Sequence, residues 1–213
     1  MKSTALCICL LCFPASLSAD VIFDTFDKQY GVDSYNEGGG SIIGPAAGGI
    51  EEDNAYAFVV GGGDFQLDRI VIGVRETGGV GNLLLELHAN GPDDSIGAFI
   101  EAFDLGQPAA QNGSFYTATS AAISAAMPLL SDGNRYWLVA STTDSLSVVW
   151  GAASENPFGS HRWVRQGADG QWYREPYPTV SAVFAVHATP VPEPSPIAIM
   201  FVAALVHVST RRR

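Results

Sequence analysis

The sequence predicts an all-β domain, a sandwich or a barrel, set between two apolar end segments. Three observations predict it. Short alternating or β-branched runs recur along the body of the chain. Clusters of Gly, Asn, Asp and Pro separate them. No stretch between residues 20 and 190 carries the period of a long amphipathic helix. Composition agrees. The 213 residues are 47% hydrophobic and 15% charged, enough for one domain with a core and too apolar for a disordered chain. The 23 Gly and 12 Pro are too many for a helical bundle, and they lack the three-residue period of collagen.

Strands are expected in order at residues 21–26, 54–60, 65–74, 83–88, 98–105, 114–119, 136–141, 147–150, 161–165, 171–174 and 180–187. Within 65–74 the apolar set shifts phase: Phe65 and Leu67 alternate, then Ile70, Ile72 and Val74, which predicts a bulge near Arg69. Leu83, Leu85 and Leu87 alternate with Glu86 and His88, the pattern of a half-covered strand. Gly61-Gly62-Gly63, Asn90-Gly91-Pro92-Asp93 and Asp132-Gly133-Asn134 read as turns, because Gly and Asn accept positive φ. Residues 165–172 read as a hairpin in which Trp163 and Trp172 pair across the turn. Residues 118–126 are rich in small side chains and read as a loop or one or two helical turns. Internal repeats at 20–50 residues are absent, which excludes a propeller or solenoid.

The two ends read as addresses. Residues 1–19 have the order of a signal peptide: Lys2, an apolar run from Ala5 to Phe13, Pro14, then small residues up to Ala19. Leu11 before Cys12 disfavours a lipoprotein signal. All three cysteines, Cys7, Cys9 and Cys12, fall in this segment, so the mature domain is expected to have no disulfide and no thiol chemistry. At the other end come Val191, Pro192, Glu193 and Pro194. An apolar segment follows: Ile197, Ala198, Ile199, Met200, Phe201, Val202, Ala203, Ala204, Leu205 and Val206. A basic stop follows that, Arg211, Arg212 and Arg213. Residues 197–208 span about 18 Å as a helix, short of a hydrocarbon core of ~30 Å. A triple-Arg cluster resists burial and favours the cytoplasmic side, so a short membrane anchor is the preferred reading over a buried terminal helix.

The order Val-Pro-Glu-Pro, short apolar segment, Arg cluster resembles the PEP-CTERM sorting signal, over 191–213. That resemblance implies export from a Gram-negative bacterium that makes extracellular polysaccharide. It also implies a transient stay in the inner membrane, and cleavage near Pro-Glu-Pro by an exosortase after signal peptidase has acted. The body is similar, more faintly, to the choice-of-anchor group of bacterial surface domains. The matching pieces are residues 22–26, 65–72, 83–88 with Asn90-Gly91-Pro92, and Arg135-Tyr136-Trp137-Leu138-Val139-Ala140. This resemblance implies a jelly-roll-like antiparallel β-sandwich and brings no catalytic residues. The expected organisation is a signal peptide at 1–19, a β-sandwich surface domain at 20–189 and a sorting segment at 190–213.

Charge and motif content exclude several functions. The formal charge is −11, and Lys2 with Arg211, Arg212 and Arg213 lies in the end segments, so the body is more acidic still. Such a surface suits neither nucleic acid nor anionic lipid. Gly-x-Ser-x-Gly, His-Glu-x-x-His and a phosphate loop are all absent. His88, His161 and His187 are isolated and read as strand residues with satisfied rings. No catalytic residue, metal or cofactor is expected. Asn90, Asp93 and Asp94, with Glu51 and Asp53, are the hard-oxygen set that a structural calcium would use, and solvated loop charges are the plainer reading. Trp150, Trp163 and Trp172 concentrate late in the chain among Arg162, Arg165 and Arg174. They either fill the core or form stacking platforms for sugar rings. The expected function is a structural or adhesive surface or matrix protein without catalysis. The alternative is a carbohydrate-binding module for extracellular polysaccharide.

Overall fold

The computed structural model describes residues 18–26, 40–110, 119–153, 162–167, 170–174 and 182–192. Most of the expected leader, and the expected sorting segment from Glu193 onward with Pro194, Ile197 to Val206 and Arg211 to Arg213, lie outside the described residues, as does His161. Among the described residues the strands are β1 (Asp20–Asp24), β2 (Ser41–Ile43), β3 (Glu52–Val59), β4 (Phe65–Gly78), β5 (Leu83–Asn90), β6 (Ile96–Asp104), β7 (Thr119–Ile123), β8 (Leu129–Leu130), β9 (Arg135–Thr142), β10 (Ser147–Trp150), β11 (Arg162–Gln166), β12 (Tyr173–Arg174) and β13 (Phe184–Pro190). One 3-10 turn, Pro92–Asp94, joins β5 to β6.

The class is all-β, and every pairing between named strands is antiparallel. The hydrogen-bonded order is β1-β13-β4-β10-β2-β3-β9-β5-β6. The long strand β4 curls this sheet into a sandwich. Its first half pairs with β13 on one side and with β7 and β8 on the other, which makes a smaller layer. Its second half pairs with β10 and enters a larger layer, to which the β11-β12 hairpin attaches at β3.

The phase shift read in the sequence is real. His187 faces Arg69 and Ala188 faces Leu67, so Asp68 is the extra residue of a bulge. The bulge lets Leu67 and Ile70, both fully buried, point to the same side. Where β4 ends, Gly79 has φ +83, and a Cβ there would lie 1.8 Å from the Ser145 carbonyl oxygen, so only glycine fits.

Between the layers the core is aromatic at its centre. Phe23 stacks on Phe184 at 4.9 Å, and Phe58 of the opposite layer meets Phe184 at 6.0 Å. Trp150 is fully buried beside Tyr56, with ring centroids 5.0 Å apart, and its Nε1–H donates to the Val183 carbonyl at 3.0 Å. The expectation of Trp150 as a ligand platform is therefore corrected. Its side of β10 faces inward, and its one polar atom is already satisfied.

Other differences have local causes. Residues 119–123 form a strand, not a loop or helical turns, because pairing with β4 outweighs the weak preference of small residues. β2 and β8 are too short to show a period. β13 continues to Pro190 and the Val191 N–H donates to the Asp64 carbonyl, so the sheet runs slightly past the expected boundary at 189.

Candidate functional site: the outer face of the larger layer

The larger layer is apolar on both faces. In β9, Tyr136, Leu138 and Ala140 belong to the main core, while Trp137 and Val139 point the other way and are also buried. Ala55 joins them, and Ala57, Ile96, Trp163 and Trp172 pack over this second cluster. The run Tyr-Trp-Leu-Val-Ala is the sequence mark of a strand covered on both sides, and it was the signal available for this face.

Register lays the side chains out in rows. Ala57 faces Trp137, Trp137 faces His88, and His88 faces Phe99. In the neighbouring row Arg174 faces Trp163, Trp163 faces Ala55, Ala55 faces Val139 and Val139 faces Glu86. An aromatic band thus crosses the sheet. Trp137 meets Trp163 edge to face at 6.3 Å, and His88 meets Phe99 the same way at 5.7 Å. Trp137 is fully buried and its Nε1–H donates to Asn90 Oδ1 at 2.8 Å. Trp163 and Trp172 are half-buried, Arg174 is exposed, and Phe99 is 58% exposed. Sequence reasoning named Trp163 and Trp172 but missed Trp137, His88 and Phe99 as partners on this face.

The expected hairpin is present as β11-β12. Trp163 pairs with Arg174 and not with Trp172; Trp172 instead lies under Arg165, whose guanidinium carbon is 5.3 Å from its ring centre. Arg165 also donates to Asp53 Oδ2, from Nε at 2.8 Å and from Nη2 at 2.5 Å. Asp53 is 1% exposed, and its Oδ1 has no hydrogen-bond partner among the described residues. Burial pushes the Asp53 carboxyl above the ordinary value; Arg165 opposes this, and Glu51 and Glu86 add to it. Trp163 Nε1 is likewise buried, with no acceptor among the described residues. The face therefore presents indole surface and the Arg165 and Arg174 guanidinium groups, while Asp53 Oδ1 and Trp163 Nε1 lie beneath it.

Of the other residues in the hard-oxygen set, Asp94 and Asn90 are engaged structurally, and Glu52, between Glu51 and Asp53 in the chain, is paired as well. Asp94 pairs with Arg135 at 2.7 Å, Asn90 gives its oxygen to Trp137, and Glu52 pairs with Arg162 at 3.3 Å. Asp93 is exposed at φ 56. Asn90, Asp94 and Arg135 line a cleft of about 490 Å³ at one end of the layer. Among the described residues no group of three or more His, Cys, Asp or Glu side chains is placed to hold a metal ion. His88 bonds Glu86 at 2.8 Å and the Gly97 carbonyl at 3.2 Å, the role of a satisfied strand histidine.

Val191 and Pro192, the first two residues of the expected Val-Pro-Glu-Pro motif, lie at the sheet's end. Val191 and Pro192 are exposed, beside a cleft of about 500 Å³ lined by Gly62, Gly63, Asp64 and Asp132. Asp20 pairs with Ala188, so both ends of the domain leave from the same place. Among the described residues no helix is long and apolar enough to cross a membrane. No protein-family model matches the chain, and no curated protein matches it.

Proposed function

We propose that this is an exported surface or matrix protein with a structural or adhesive, non-catalytic role, addressed by an N-terminal signal and a Pro-Glu-Pro tail of the exosortase-processed kind. One observation carries the reading. Among the described residues the sheet starts at Asp20, just after the expected signal cleavage, and ends at Pro190, just before Pro-Glu-Pro, with β1 and β13 paired in one strand ladder. A domain so placed keeps every described strand when either address is cut. The test is intact mass and fractionation in cells with and without the exosortase. Loss of both end segments only where the enzyme is present, with release to the surface or matrix, supports the reading. A tail retained in both strains sinks it.

The half-buried indoles of Trp163 and Trp172, framed by Arg165 and Arg174, favour a second reading in which polysaccharide is held on the outer face of the larger layer. Sugar rings stack on indole faces while hydroxyls bond neighbouring charged groups. On this reading Trp172→Ala weakens binding of a soluble exopolysaccharide about tenfold in calorimetry, a loss of roughly 1.4 kcal/mol. Equal affinity in the variant would remove this face from consideration.

A further inference from the structure

The outer face of the smaller layer has two unlike halves. Far from the chain ends, Phe26, Val183 and Ala185 are buried with Val71 and Ala153 packed on them. Near the chain ends Val21, Ile123 and Leu129 stand 51%, 65% and 52% exposed. Register gathers them. Val21 faces His187, His187 faces Arg69, and Arg69 faces Ile123, while Leu129 lies in the next row against Gln66 and Thr189. Neither row contains a carboxylate, in a chain whose formal charge is −11.

Met127 completes the patch, 46% exposed at φ 46. A methionine holds that conformation only where its surroundings impose it. Here they do. Buried Glu101 accepts Ser124 Oγ–H at 2.7 Å and the N–H groups of Ala125 and Ala126 at 2.8 and 3.0 Å. Ser124 Oγ in turn accepts the Met127 N–H at 2.9 Å. A buried carboxylate thus fixes a turn that holds an apolar side chain out in solvent.

The chain leaves the domain at this same end. Residues 192–196 separate it from the apolar segment that starts at Ile197, and fully extended they reach at most about 18 Å. We infer that Val21, Ile123, Met127 and Leu129 form a bilayer-docking face that rests on a zwitterionic lipid surface while the chain is anchored. Asp20, Asp64 and Asp68 flank these rows while Arg69 and His187 lie within them, a mixed set of charges that suits a zwitterionic surface better than a strongly anionic one. The inference rests on the sorting reading, because that reading puts residues 197–206 in the membrane.

The chain's own methionines test it. Met1, Met127 and Met200 are replaced by photo-methionine in the full chain, which is then reconstituted with phosphatidylethanolamine-rich vesicles, irradiated and mapped by peptide mass. The expected result is lipid adducts at both Met200 and Met127. Ile123→Ser with Leu129→Ser lowers the Met127 adduct about tenfold and leaves Met200 unchanged. In Val80→Met, at the far end of β4, position 80 stays free of lipid. Lipid on Met200 with none on Met127, or a Met127 adduct to a second copy of the chain, overturns the docking face. No lipid on Met200 overturns the sorting reading beneath it.

Discussion

The two layers treat their outer faces in opposite ways. The larger layer covers the centre of its outer face with Trp137, Trp163 and Trp172 and pairs charge there, as in Asp53 with Arg165, leaving Phe99 exposed at its edge. The smaller layer covers only half of its outer face and leaves Val21, Ile123 and Leu129 exposed near the chain ends. Both faces follow the same alternation of side chains, so alternation does not explain the contrast. What differs is the neighbour. The β11-β12 hairpin folds against β3 and brings its indoles over the larger layer, whereas the exposed half of the smaller layer lies where the chain enters and leaves.

The largest effect is expected from Trp137→Ala. If the larger layer's outer face is a second core, this substitution costs about 3–5 kcal/mol, as deep truncations of Phe and Trp do. Denaturant midpoints for Trp137→Ala and Trp150→Ala should then be lowered by comparable amounts. A shift for Trp137→Ala no larger than that of a surface residue would break the comparison.

Next comes Arg165→Met, which leaves the Asp53 carboxylate buried beside Trp163 without its counter-charge. Breaking a buried pair costs about 3–5 kcal/mol, and the part-exposed Arg165 reduces that to roughly 2–3 kcal/mol near neutral pH. Adding Asp53→Asn to Arg165→Met should restore part of the loss in urea denaturation. No recovery would mean that Arg165 acts through its packing on Trp172.

A smaller effect is the pH dependence that Asp53 confers. Its carboxyl sits above the ordinary 3.8, chiefly through burial, so the folded state binds this proton more tightly than the unfolded chain does. The resulting stability is full below 3.8 and is lost as pH rises through the raised folded value. Melting temperature against pH should therefore lose one downward step in Asp53→Asn relative to the parent. An unchanged slope would place the proton elsewhere.

The smallest effect is expected on the other layer. Ile123→Ser and Leu129→Ser should each change stability by no more than about 0.5 kcal/mol, as surface substitutions do. A larger loss in thermal melts would mean that the exposed half of the face is covered in solution by a partner of some kind.

The sequence by itself determined the class, the place of most strands, the β11-β12 hairpin and a bulge near Arg69, which the register places at Asp68. Each of these is written in neighbouring residues: a period of two, a turn residue that accepts positive φ, a slip in the apolar phase. It also carried the two end segments, which are patterns of composition along the chain. Only the tertiary structure decided which face of each strand is covered, and by what. Trp150 and Trp163 look alike in sequence, yet one is sealed beside Tyr56 and the other caps Trp137 beside Arg174. Alternation separates two faces but does not say what lies against each. That depends on which distant strand supplies the opposing side chains, and the partners here are the β3 ladder with β9 and β11 and the passage of β4 from one layer to the other.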